Sequence, residues 1–150
     1  LRYGKASRPE ESMYDRPFQW GSKRTGPDLA REGGKYPHLW HYRHMLDPRS
    51  VTPNSIMPSY GWLFDQKTDF AILEKKFSVM RALGVPYSED DVKKAPETAE
   101  QQAREIAASL SSDLSTTSPI RSLENREIIA VIAYLQRLGK NTEPTSAEEK

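Results

Sequence analysis

Chemistry has few footholds in this sequence, and each is a short run. HLWHYRH places His38, His41 and His44 three residues apart, so on a helix neighbouring imidazoles lie close enough to share a metal ion. From first to last, though, that spacing drifts about 120° around the helix, and no carboxylate stands four residues away to complete a ligand set. Surface histidines are the simpler reading. SEDD at 88–91 offers carboxylates for calcium or for acid–base work, but acids that open a helix and lysines that follow them are explained by the helix dipole alone. Gly33–Gly34 ahead of KYPH lacks the fuller glycine pattern and the lysine–Ser/Thr ending of a phosphate loop. There is no GxSxG nucleophile elbow. The most unusual run is PNSIMPSY, residues 53–60, where Met57 rides on a strap stiffened by Pro53 and Pro58 and is followed by Tyr60 and Trp62. Core filling is the default for a methionine, but that role needs flexibility, not a rigid mount.

Composition narrows the possibilities. The chain of 150 residues suits one domain with a real core. Only 36% of it is hydrophobic, with a mean hydropathy of -0.77, so part of the length falls outside that core. The net charge is +1, with ten Lys/Arg against six Asp/Glu in residues 1–50, or +4, and -3 over the rest. Such an asymmetry suits an acidic protein partner and falls far short of a nucleic-acid footprint. The absence of cysteine excludes disulfides, thiolate zinc sites, iron–sulfur clusters and a cysteine nucleophile. No apolar run approaches the roughly 18 residues of a membrane helix, and no signal peptide is visible.

The elements that would position these runs are helical. Residues 1–34 read as irregular, and WGSKRTGPDLAREGG, with four glycines and a proline, reads as a shaped loop. A short helix is expected from Pro37 to about Leu46, stopped at Pro48, and the strap follows. Thr68 or Asp69 caps a second helix in which Phe70, Leu73, Phe77 and Met80 recur, closed by Gly84 and Pro86. Ser88 with Asp91 opens a third in capping-box fashion. Pro96 is expected to interrupt or restart it, ahead of a stripe of Ala99, Ala103, Ile106, Ala107 and Leu110. SSDLSTTSP is a loop. The last helix runs from about Leu123 to Leu138, with Ile128, Val131 or Ile132, Leu135 and Leu138 on one face. Gly139 terminates it, and Arg137 and Lys140 sit where the dipole favours cations. The tail, 140–150, is polar and reads as disordered. Strand alternation is absent, so the fold class is all-α.

The order of these pieces resembles class I c-type cytochromes. GPDL at 26–29 is similar to that family's proline–leucine turn, SIMPSY to its methionine loop, and IIAVIAYLQRLG to its closing helix. More narrowly, WGSKRTGPDLAREGGKYPHLWHYRHMLDPRSVTPNSIMPSYGWL, with LGVPYSEDDV and the last helix, resembles the mono-haem subunit of cbb-type haem–copper cytochrome c oxidases. The likeness covers most of residues 14–139.

This resemblance implies a cytochrome c-like helical domain over 1–139 that carries electrons toward a catalytic subunit in aerobic respiration. In that reading Met57 is an axial haem-iron ligand. Pro27 supplies the carbonyl that orients the proximal histidine, and Leu29 packs on the porphyrin. Tyr60 and Trp62 wall the methionine side, and Arg24 or His44 meets the propionates. The implied cofactor of the intact subunit is haem c. The implied partners are the catalytic and di-haem subunits and an electron-donor cytochrome, at the periplasmic face of a bacterial inner membrane. The family's CxxCH attachment motif is missing here, and none of the three histidines matches the proximal one. The chain opens on LRYGKAS, so the expectation is a C-terminal piece cut after the haem motif and the membrane anchor, with no haem bound. Such a haem-free fragment can collapse, rearrange or form a homodimer through its exposed aromatic patch. A rival reading is a haem-free helical module for interaction or assembly, and a third is a histidine metal enzyme.

Overall fold

Ser88 and Asp91 show how closely the helix starts follow local chemistry. The Asp91 N–H donates to Ser88 Oγ at 3.1 Å while the Ser88 N–H returns a bond to Asp91 Oδ2 at 2.9 Å, a reciprocal cap at the opening of a long helix. In the computed structural model, residues 10, 13–14, 29, 31–113 and 123–140 are described. They form α1 (His38–Leu46), α2 (Pro48–Val51), α3 (Trp62–Asp65), α4 (Ile72–Ala82), α5 (Glu89–Asp113), a 3₁₀ turn (Leu123–Asn125) and α6 (Glu127–Arg137). Among the described residues there is no strand, only an isolated bridge between Lys67 and Arg126. The fold is all-α. No helix among these residues is long and apolar enough to cross a membrane.

The chain divides into two compact units, Tyr36–Tyr134 on the one hand and Leu1–Lys35 with Leu135–Lys150 on the other. The core of the larger unit gathers Ala103, Ile106, Ala107 and Leu110 of α5, Leu123, and Ile128, Ile129 and Ile132 of α6. Fully burying one of these large aliphatic side chains is worth about 1.5–3 kcal/mol. Leu39, Tyr42 and Met45 of α1, Leu63 and Phe64 of α3, and Phe70 pack against its edge.

Several expectations need correction. Pro96 does not break the third helix: α5 runs through it for 25 residues. An interior proline costs about 3 kcal/mol in a helix, but Val92 and Ala95 before it and Ala103, Ile106, Ala107 and Leu110 after it are buried. Burial on both sides of the defect outweighs the missing hydrogen bond. Pro48 ends α1 but also starts α2, at the first helical position where its absent N–H is no loss. Asp47 caps that turn through the Arg49 N–H at 3.1 Å. On α6 it is Ile132, not Val131, that is buried, and Ile129 joins it. The SSDLSTTSP segment is helical through Asp113, and its remainder lies outside the described residues. The irregular stretch expected over 1–34 is described only at residues 10, 13–14, 29 and 31–34, and the tail only at Lys140.

In the smaller unit, the Gly33 N–H donates to Leu138 O at 2.9 Å and the Gly34 N–H to Gln136 Oε1 at 2.9 Å. Gly33 has no room for a side chain, since a Cβ there would lie 2.5 Å from Leu138 O and 2.7 Å from Gln136 O. Gly61, by contrast, has helical dihedrals and open space around it. Gly33→Ala should therefore destabilise by about 1–3 kcal/mol, while Gly61→Ala should stabilise by about 0.4–1 kcal/mol. Urea unfolding of the two variants checks the pair, and equal effects would contradict the packing described for Gly33.

Candidate functional site

The strap is held at its C-terminal end by backbone groups that α1 leaves open. The last carbonyls of an α-helix lack partners within it. In α1 two of these are taken by the strap: the Tyr60 N–H donates to Met45 O at 2.9 Å, and Ser59 Oγ donates to Leu46 O. Beyond Tyr60 the chain turns into α3, and the segment after it fastens to the start of α6. The Thr68 N–H donates to Asn125 O at 2.9 Å, the Glu127 N–H to Gln66 O at 3.1 Å, and the Arg126 guanidinium to Asp65 O. Residues 53–60 are thus fastened at their C-terminal end to the end of α1, and the segment that follows α3 is fastened to the opening of α6.

Met57 lies two residues before the first of these anchors, half-buried, with its N–H donating to Ser55 Oγ at 3.2 Å. Tyr60 and Trp62 meet edge to face, ring centroids 5.0 Å apart at 61°. The surroundings are apolar but uncovered. Ile56 is 88% exposed, and Leu46 and Trp62 are each about half exposed. A soft thioether flanked by uncovered aliphatic and aromatic surface fits a large apolar ligand that carries a soft metal ion. A haem is such a group, and the donor chemistry and flanks of the strap are compatible with it.

Of the predicted site residues, Tyr60 and Trp62 meet ring to ring, and Met57 precedes them on the same strap. Arg24 and Pro27 lie outside the described residues. Leu29 belongs to the smaller unit, where it is half exposed and its carbonyl accepts from the Glu32 N–H at 3.0 Å. His44 is engaged on α1 itself, its ring stacked on Trp40 at 4.5 Å, and Trp40 stacks in turn on Tyr36 at 3.9 Å. The metal face across the three histidines does not form. His41 turns its ring edge-on to Trp40 at 5.4 Å, and no group of three potential ligands gathers among the described residues.

His41 is the residue that sequence reasoning undervalued. It is 1% exposed, and its Nε2 finds no hydrogen-bond partner among the described residues. Its spacing from half-buried Met45 and buried Pro48 is that of one inward stripe, a signal available in the sequence. Burial, with like charge on His38 and on His44 adding to it, holds the imidazole down at about 4.

Residues 1–142 match the family described as cytochrome C oxidase, mono-heme subunit/FixO. The match spans nearly the whole chain, and the all-α fold agrees with it: the chain belongs to this family of oxidase subunits. No curated protein matches the chain closely enough to stand as a relative. Because the chain has no cysteine, its own residues cannot form thioether bonds to a haem.

The depressed histidine sets a pH dependence. Above about pH 6.5 His41 is neutral in both the folded and the unfolded chain. As pH falls toward about 4, the unfolded chain binds a proton there that the folded chain refuses, so stability is lost across that window. The full loss is about 3 kcal/mol. His41→Phe should flatten this part of the profile, read by urea unfolding from pH 7 to pH 4. Parallel profiles for the two proteins would show that His41 does not titrate as its burial requires.

Proposed function

We propose that this chain is the electron-transfer part of the mono-haem subunit, passing electrons toward the catalytic subunit of the oxidase in aerobic respiration. One observation carries the reading: Met57 rides on a proline-stiffened strap whose C-terminal end, at Ser59 and Tyr60, is hydrogen-bonded to the last carbonyls of α1. Met57 is the axial ligand in this proposal, and Tyr60 and Trp62 form the wall beside it. The proximal histidine and the thioether attachments come from a CxxCH segment that these 150 residues do not contain. Pro27, Leu29, Arg24 and His44 keep the supporting roles that the family resemblance gives them. The subunit works at the periplasmic face of a bacterial inner membrane, alongside the catalytic and di-haem subunits, and takes electrons from a donor cytochrome.

When bound, haem supplies a one-electron couple. The protein's part is to bias and steady that couple. A thioether donor favours the ferrous state over the ferric and so raises the potential. Pro53 and Pro58 limit the strap's backbone freedom, and the Ser59 and Tyr60 anchors fix where its end meets α1. Little of the strap is free to rearrange between oxidation states. The rival reading, a haem-free interaction module, draws on the absence of cysteine and on the exposed Ile56 and Trp62. Visible spectra of the subunit with its CxxCH segment present separate the two: a methionine-ligated low-spin spectrum is expected only on the first, and its absence would overturn that reading.

In the assembled, haem-bearing oxidase, Met57→Ala should lower the midpoint potential of this subunit by more than about 60 mV, one tenfold step for a one-electron couple. Spectroelectrochemical titration measures it, and an unchanged potential would remove Met57 as the ligand.

A further inference from the structure

Buried polar groups in folded proteins nearly always have hydrogen-bond partners, so an exception calls for a cause. His41 on α1 is such an exception, fully enclosed and with no partner for Nε2 among the described residues. The rings of Tyr36 and Trp40 stand at right angles to it, with centroids 6.1 and 5.4 Å away. The charges that act on it are those of His38 and His44, both of its own sign. A buried imidazole with an open donor position and only like charges beside it lacks an acceptor, and an anionic one above all.

A buried water needs two to four polar partners of its own. Met45 and Pro48, on the same stripe as His41, are apolar, and Tyr36 and Trp40 add mainly ring carbon. A carboxylate carried by a bound ligand fits better, because it accepts from Nε2 and offsets the like charges of His38 and His44. The position of His41 says which ligand. It stands one turn, about 6 Å along the axis, before Met45, whose carbonyl receives the Tyr60 N–H at 2.9 Å. Tyr60 follows Met57 by three residues, at most about 11 Å of extended chain. The imidazole thus belongs to the same helix end as the methionine strap. A haem combines the two chemistries needed there, a flat apolar body for the uncovered Ile56 and Trp62 and carboxylates for a buried donor. His44, to which the family resemblance gives a propionate contact, is only half-buried, whereas His41 is shut off from solvent and needs a partner from within.

We propose that His41 is a carboxylate-binding residue of the haem site, with its Nε2–H donating to a propionate. This rests on the reading of the chain as part of a haem-bearing subunit, but not on Met57 as the axial ligand. The test is resonance Raman spectroscopy of the purified mono-haem subunit with its haem attached, in which the propionate bending band rises in frequency when the carboxylate accepts a hydrogen bond. His41→Phe should lower the band. His41→Gln, which keeps an N–H donor near the place of Nε2, should hold it where the unaltered subunit has it. An unshifted band in His41→Phe overturns the proposal, and so does a His41→Gln band displaced as far as that of His41→Phe. Visible spectra of the same samples report methionine ligation separately. Loss of that ligation with the expected band shifts intact would remove Met57 alone, whereas a subunit that takes up no haem would overturn both.

Discussion

Burial of the isoleucine ridge of α6 is the constraint from which the rest of the larger unit follows. Ile128, Ile129 and Ile132 are covered almost completely, and they share their cluster with Ala103 and Ala107 of α5. Small alanines allow bulky branched neighbours to seat closely, and this dense contact fixes where α6 begins. A helix that begins in a buried place must find acceptors for its first N–H groups. The segment after α3 provides one, Gln66 O for the Glu127 N–H, and is tied down further by the Thr68 N–H on Asn125 O and the Arg126 guanidinium on Asp65 O. Once that segment is fixed, α3 is fixed, and with it one end of the strap that carries Met57.

The same end is also fastened to α1, which holds against the same cluster through Leu39, Tyr42 and Met45. Here the unpaired carbonyls of a helix end do the anchoring. His41 lies on that helix, buried and neutral, one turn before Met45. An ionised imidazole at this position would lose its hydration without gaining a partner, which is why burial wins over protonation down to about 4. The helix that steadies the strap is therefore itself sensitive to acid.

Much of this was legible in the sequence, for local reasons. The Ser88–Asp91 cap, the positive φ of 96° at Gly84 and of 77° at Gly139, and the apolar spacing of α4 each involve residues within a turn or two of one another. What was missed depends on distant contacts. Pro96 signals a break by every local rule, and only burial along the whole of α5 keeps that helix continuous. The one-turn helix at Trp62–Asp65 has no periodicity to detect and exists because its flanks are pinned elsewhere. Of the site, the strap and its aromatics could be read from the sequence, because prolines and rings are visible as letters. The anchors could not, because they are mostly main-chain groups and carry no sequence signature; Ser59 is the exception.

That difference bears on how the two exposed apolar surfaces should be understood. Beside the strap the uncovered groups, Leu46, Ile56 and Trp62, follow no helical period and lie on backbone that is held from outside. On α4 the uncovered groups, Ile72, Val79 and Leu83, repeat with the period of a helix. Irregular apolar groups on a stretch that also carries a thioether suit a flat, rigid occupant, since such a body needs no matching period. A periodic stripe suits another helix, whose side chains interlock at the same steps. The two surfaces call for different kinds of partner, and a single loss of apolar cover cannot account for both.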